Sequence, residues 1–354
     1  MYEHMKLVIH LVTWNGAAFI PYLADSLRRQ TFQDWTLRVL DNNSTDETRA
    51  CLEKEFTQIA SRVELHYREK NAGFAGGHNE LFQSLPNEAE YLLLLNQDLY
   101  LNEECLERLI TFFDNHDDAA AVAPRLMRWN TAKMHDEGAD SDLMFSEYID
   151  SLGMCMHRSR RVTELAAYEK WAGSYKGETE AIKVFGVSGT VPMMRIADAK
   201  VVSYDGNLFD PLYASYKEDI DLMYRFQEIG KSVYTVLGAF AHHARSAGEA
   251  KGKTDFSIAE NKRMQTEQTK INSYKNHLMN LYKHTTWYDW LLDGWAILWY
   301  EGKKKIWLLL FDRNTFFASI TFLKLNWREI KKHKQELRAR IKISAQSLRK
   351  RLFV

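Results

Sequence analysis

Two acidic clusters and a pair of histidines are the residues of this chain best suited to chemistry. The first cluster is Asn96-Gln97-Asp98, at the end of the apolar run Tyr91–Leu95. Five apolar residues in a row fit a strand buried on both faces, as in a parallel sheet covered by helices. In open α/β sheets, ligands gather outside the carboxyl ends of the strands. A carboxylate there can hold a divalent cation, and the cation a diphosphate. As a lone residue, Asp98 could equally cap a helix expected from about Asn102. The second cluster, Glu218-Asp219-Ile220-Asp221, opens a helix predicted to end at Gly230. Acidic residues in a first turn also suit the helix dipole, and Asp221 with Arg225 has the spacing of an ordinary surface pair. His242 and His243 end a predicted strand, although isolated histidines are more often simply hydrogen-bonded.

The elements that would position these groups alternate. Strands are predicted at Lys6–Thr13, Thr36–Leu40, Arg62–Arg68 and from Tyr91, with helices at Ala17–Gln30, after Asp46, and up to Ser84. Phe19, Leu23 and Leu27 form the apolar stripe of the first helix, and Ser44 or Thr45 is placed to cap the second. Four strand–helix repeats argue for a parallel sheet with right-handed crossovers. Polar loops then collect along one edge. Asp41 and Asn42 can hydrogen-bond a base or ribose, and the glycines of residues 73–77 let backbone approach a ligand beside a helix N-terminus. Neither the dinucleotide fingerprint nor a P-loop is present, which disfavours a dehydrogenase or a P-loop kinase. Further on, strands are predicted at Ala119–Leu126, Phe185–Arg195, Ser232–Val236 and Ala239–Ala241, around an irregular insertion at 154–183.

Composition bounds the class. The chain has 354 residues, 45% hydrophobic and 27% charged, enough for a main domain and an appendage. Three scattered cysteines suit a reducing compartment and offer no zinc site. The amino terminus reads as a first strand rather than a signal peptide, and no uncharged apolar run reaches the ~18 residues of a membrane span. Net charge is zero, but residues 301–354 hold 15 of the 47 Lys/Arg and only 4 of the 47 Asp/Glu. A basic tail on an acidic body points to an anionic partner surface.

Four stretches in order, DNNSTDET, NAGFAGGHN, LLLLNQD and FDPLYASYKEDIDLMYR, the last followed by HHARSAG, resemble the inverting glycosyltransferases of family 2, in particular the bacterial rhamnosyltransferase-like members. The resemblance covers roughly residues 5–285 and implies the GT-A fold: a Rossmann-like nucleotide-binding sheet with mixed acceptor-side strands. It divides the chain into a nucleotide-sugar half (1–100), an acceptor and catalytic half (101–250) and a C-terminal helical region (251–354). Asn96-Gln97-Asp98 stands where the family carries a DXD-type motif, so Asn replaces the first carboxylate. By the same resemblance Asp98 and His243 are the ligands of Mg²⁺ or Mn²⁺, and Asp219 is the general base, beside Glu218. Thr13, Asn15, Asp41, Asn43 and Asp46 match nucleoside-binding positions, and Asn71, Gly73, Gly76 and Asn79 the donor-phosphate and sugar loop. The implied reaction transfers a sugar, rhamnose from dTDP-rhamnose in this subgroup, to a lipid-linked surface polysaccharide. The alternative is a silent GT-A scaffold that binds glycan or a protein.

Over the C-terminal segment the resemblance fades. A helix is expected over Asp255–His284, with Ile258, Ile271, Tyr274, Leu278 and Leu281 apolar. After it, six of the ten tryptophans alternate with leucines and the Lys303-Lys304-Lys305 cluster. Tryptophan beside lysine and long aliphatics suits the headgroup boundary of a bilayer. This predicts peripheral binding to anionic membrane on the inner, cytoplasmic face, with a helical core or homodimer interface as the competing use. No base-reading motif accompanies the charge, so nucleic acid is not expected.

Overall fold

The computed structural model describes residues 5–86, 88–130, 145–171, 180–244 and 266–353. β1 (Leu7–Thr13), α1 (Ile20–Arg28), β2 (Trp35–Asp41), α2 (Thr48–Phe56), β3 (Val63–Tyr67), α3 (Gly73–Gln83) and β4 (Tyr91–Leu95) alternate as the sequence predicts. β1 lies between β2 and β4 and is parallel to both, with β3 parallel beyond β2. Every residue of β4 is buried, the reason it is written as an unbroken apolar run. Leu23 and Leu27 of α1 are fully buried against this sheet, whereas Phe19 only precedes the helix.

Past β4 the sheet becomes mixed. β5 (Leu99–Leu101), α4 (Cys105–Asn115), β6 (Ala119–Trp129), β7 (Phe145–Ser151), β8 (Met154–Met156), β9 (Val162–Glu164), β10 (Ala181–Val184), β11 (Met193–Arg195), α5 (Ile196–Val202), α6 (Glu218–Glu228) and β12 (Ser232–His243) follow. The order is β10-β12-β6-β11-β4-β1-β2-β3, with β5 on β12 and β7 on β6. β11 runs antiparallel to both of its neighbours, β4 and β6.

Several expectations are corrected. Of Phe185–Arg195, only β11 joins the sheet. A Cβ on Gly186 would lie 2.5 Å from Met223 Cγ, so the glycine lets this chain hug α6, and its backbone makes only an isolated bridge to Met154. The two strands expected after Ser232 are one, β12, which pairs with β6 on both sides of an irregularity between Val236 and Phe240. Neither Ser44 nor Thr45 caps α2: the Ser44 hydroxyl accepts from Asn15 N–H, and Asp46 accepts from Thr48 N–H. α3 starts at Gly73, inside the glycine run, and Gly77 within it allows close packing on β1; a Cβ there would meet Val12 at 2.7 Å.

Five helices complete the chain: α7 (Glu267–His284), α8 (Trp287–Phe311), α9 (Arg313–Leu325), α10 (Trp327–Arg340) and α11 (Ala345–Leu352). The earlier start expected for α7, including Ile258, lies outside the described residues. Leu348 and Leu352 of α11 are buried in one cluster with Leu222, Met223 and Phe226 of α6. The C-terminal helices therefore share a core with α6, so the boundary expected at 250 does not separate two independent cores.

Polar docking is as important. Asp221 and Arg225, expected on the surface, form a fully buried pair at 2.9 Å. Lys283 of α7 bridges Asp210, at 2.9 Å, and Asp221. His284 joins Asp221 at 3.0 Å to Glu228 at 2.8 Å, and His333 of α10 reaches Asp210 at 2.8 Å. The remaining Arg225 N–H groups donate to the carbonyls of Val202 and Leu208. Each of these charges has a partner, the condition under which a buried ionic cluster persists.

Candidate active site

The carboxyl ends of β1, β2 and β4 meet along one edge. Thr13 and Asp41, the last residues of β1 and β2, are paired in register and fully buried. Asp41 accepts from the Ser44 N–H at 3.3 Å and from Arg49 Nε at 2.6 Å. Asn15 and Asn43 both adopt left-handed backbone, with φ of 50° and 66°, a region asparagine tolerates. The Asn15 carbonyl oxygen accepts from Thr45 N–H, and Asp46 accepts from Ala17 N–H. These two side chains hold the β1 and β2 loops together.

Gln97 does the same from β4. Its Oε1 accepts from Thr13 Oγ1 at 2.5 Å and Trp14 N–H at 3.0 Å, and its Nε2 donates to the Trp14 carbonyl. A Cβ on Gly16 would lie within 2.8 Å of Gln97 and Thr13, a requirement that spacing alone did not disclose. Asn71 accepts from Gly73 N–H at the start of α3, and Gly73 has φ of +74° with its α-carbon against the Ala214 carbonyl. Gly76 is half-buried in the first turns of that helix. Asn79 points elsewhere: it is buried, and its amide both donates to and accepts from the Phe209 backbone. It latches α3 to the 209 loop rather than facing a donor.

Asp98 stands one residue before β5. β5 pairs antiparallel with β12 so that Leu99 faces His243, which brings His243 Nε2 to 3.6 Å from Asp98 Oδ2. The other ring nitrogen, Nδ1, lies 2.9 Å from Asp150 Oδ2, and all three residues are buried. Burial disfavours the imidazolium, but hydrogen bonds and charge from Asp150 and Asp98 outweigh it and raise His243 to about 9. His242 alternates to the other side of β12 and stacks on Phe145 at 4.1 Å, where burial lowers it to about 4. The adjacent histidines are thus separated by strand alternation. Two donors each about 2.1 Å from one ion can stand up to ~4.2 Å apart, so the Asp98–His243 spacing is compatible with a shared divalent cation, although among the described residues no group of three or more His, Cys, Asp or Glu is arranged to hold one.

Asp219 reaches the same edge from α6. Its Oδ2 accepts from Gly189 N–H at 3.1 Å and its Oδ1 from Ile220 N–H at 2.8 Å. The next residue, Thr190, accepts from Asn96 N–H through its carbonyl, which ties the Gly189 turn to the Asp98 loop. Burial raises Asp219 above the usual carboxylate range, against the pull of those N–H groups, which improves it as a proton acceptor. Glu218 is buried, has one oxygen without a hydrogen-bond partner among the described residues, and is raised to about 8 by burial and by Asp219.

The loop entering α6 is strained: Ala214, Tyr216 and Lys217 all have φ between 61° and 70°. Its brace is α7. Asn276 Nδ2 donates to the carbonyls of Tyr213, Ser215 and Tyr216 at 2.5–3.1 Å, Asn280 donates to that of Lys217, and Lys275 Nζ to that of Leu212. Sequence reading missed Lys275, Asn276 and Asp150. For Lys275 and Asn276, the signal present was a polar face on α7 at helical spacing.

Comparison with known proteins agrees with this layout. Residues 8–150 match the family model described as Glycosyl transferase family 2. A stretch of 114 residues is 30% identical to the poly(ribitol-phosphate) beta-N-acetylglucosaminyltransferase TarS of Staphylococcus aureus (strain Mu50 / ATCC 700699), covering 32% of this chain and 19% of that protein. The chain therefore matches less than a fifth of that relative's length. Among solved structures, GalNAc-T7 with UDP, GalNAc and Mn²⁺ superposes with a TM-score of 0.57 at 12% identity, over 79% of this chain and 48% of that one. S. aureus TarS 1-349 with UDP-GlcNAc gives 0.47 at 20% identity, over 71% and 62%. With its parallel strands β1–β4, antiparallel β11 and the likeness to GalNAc-T7, the chain has the GT-A fold, and its residues 8–150 carry the match to glycosyl transferase family 2.

Proposed function

We propose that the protein is an inverting glycosyltransferase that moves a sugar from a nucleotide-sugar donor to a hydroxyl of a lipid-linked surface polysaccharide. The observation that supports this reading is the Asp98–His243 pair, 3.6 Å apart, with Asp219 linked to the Asp98 loop through the Gly189–Thr190 turn. Asp219 takes the proton of the acceptor hydroxyl as its oxygen attacks the anomeric carbon. The bond to the diphosphate oxygen breaks on the opposite face, so one base suffices and configuration inverts. Asp98 and His243 would hold Mg²⁺ or Mn²⁺, which supplies Lewis-acid stabilisation to the leaving diphosphate. A base beside a cation pair is not needed by a silent scaffold. Rhamnose from dTDP-rhamnose is the first donor to try, and the name of the TarS relative makes N-acetylglucosamine the second.

The test is release of nucleoside diphosphate from a panel of UDP-, dTDP- and GDP-sugars, with EDTA and then with Mn²⁺ restored. One donor is expected to turn over, to stop in EDTA and to recover. Turnover undiminished after exhaustive metal removal rejects the cation, and no release from any donor, with acceptor glycolipid present, leaves only the scaffold.

The same proposal places the enzyme on the inner face of the membrane. Trp287, Leu291, Trp295, Leu298, Trp299 and Ile306 form an exposed stripe along α8, each more than 60% accessible. No single helix among the described residues is long and apolar enough to cross a membrane, and α8 and α9 meet at 119°. A face of this kind suits lying in the interface, with nearby Lys303 and Lys305 on anionic headgroups adding roughly 1 kcal/mol each. Full-length protein should pellet with anionic but not neutral vesicles, and Trp295→Ser with Trp299→Ser should weaken this. Unchanged pelleting, or self-association of the wild type that this pair abolishes without any vesicle binding, would make the stripe a dimer interface.

A further inference from the structure

We infer that Asp150 is a positioning residue for the cation site, an inference that rests on the proposed role of Asp98 and His243. Nothing in the sequence around β7 points to it. The fold brings it there: β7 pairs with β6 on one register and β12 with β6 on another, so Ile149 faces Met127 while His243 faces Arg128. Asp150 then meets the Nδ1 edge of His243 at 2.9 Å, while Nε2 points toward Asp98 at 3.6 Å. The second distance is beyond an ordinary hydrogen bond but within the span of two donors sharing one ion. The other Asp150 oxygen lies 3.9 Å from Arg128, whose guanidinium stacks over Tyr168. The carboxylate is thereby held on both sides. A carboxylate on Nδ1–H fixes the ring orientation and leaves the Nε2 lone pair for a cation, a relay whose removal typically weakens metal binding 10–100-fold. Asp150 itself sits on the far side of the ring from Asp98, so its role is to aim His243 rather than to ligate.

The experiment is a titration of Mn²⁺ into the full chain with UDP or dTDP present, free ion being read by electron paramagnetic resonance. Asp150→Ala should bind Mn²⁺ about 10–100-fold more weakly than wild type. Asp150→Asn should lose less, because its amide oxygen can still accept from Nδ1–H, and nucleotide affinity without metal should be unchanged in both. Wild-type Mn²⁺ affinity in Asp150→Ala, with loss in Asp98→Ala and His243→Ala, overturns the inference while keeping the cation reading. No Mn²⁺ binding by wild type overturns both. If Asp150→Ala fails to fold, Asp150→Leu, similar in size but unable to accept from Nδ1–H, decides, and wild-type affinity there overturns the role.

Discussion

Asp219→Asn is expected to lower transfer by ~10² or more while leaving nucleotide affinity near wild type. The amide keeps the shape of the carboxylate, and its one oxygen can accept from either Gly189 N–H or Ile220 N–H, which face different carboxylate oxygens, but it cannot take a proton. The neighbouring Glu218 does not substitute readily, since burial, the larger cause of its raised carboxyl, persists when the Asp219 charge is removed. Initial rates with the donor found by the panel, alongside nucleotide binding by calorimetry, check this. If Asp219→Asn keeps most of its rate and Glu218→Gln loses it, the base is Glu218.

The second large effect is on stability. Asp221→Ala leaves Lys283, Arg225 and His284 buried around a missing carboxylate, which should destabilise by ~3–5 kcal/mol. The control is Asp205→Ala, whose partner Lys332 is exposed and whose loss should cost at most about 1 kcal/mol. Thermal unfolding reads both, and midpoints within a degree of each other would dismiss the buried network as a main support. Its pH dependence follows from the direction of each shift. Burial opposes the charged form of every member, but Lys283 holds Asp221 well below the carboxylate range and Asp210 at about 2. Their contribution is present above the unfolded value near ~4 and is lost as pH falls through the folded values. Glu228 and Asp221 raise His284, and Asp210 raises His333. That contribution is full below the unfolded value near ~6.5 and is lost as pH rises through the raised ones. The network should therefore be strongest between about pH 4 and 6.5.

These two residues show where sequence reading succeeds and where it stops. Asp219 and Asp221 lie on one helical turn and in one motif. An i,i+4 Asp–Arg pair is written identically on a solvated face and in a core. Only Lys283, His284 and Tyr213, brought from 8 to 63 residues away, show which it is. The amides of Gln97 and Asn79 have the same ambiguity: the polar residue was legible, but its partners, Trp14 and Phe209, were not.

By itself the sequence determined the parallel half of the sheet and the loops at its carboxyl edge, and it singled out Asp98, His243 and Asp219 as candidates. Strand and helix periodicity is local, and a polar residue ending an apolar run is visible without knowing its neighbours. Tertiary structure alone decided that β11 runs antiparallel, that Asp150 lies on the Nδ1 edge of His243, and that Asn276 braces the loop entering α6. Those choices depend on register between distant strands and on the docking of α7. The contacts that select them join residues far apart in the chain, where spacing carries no signal.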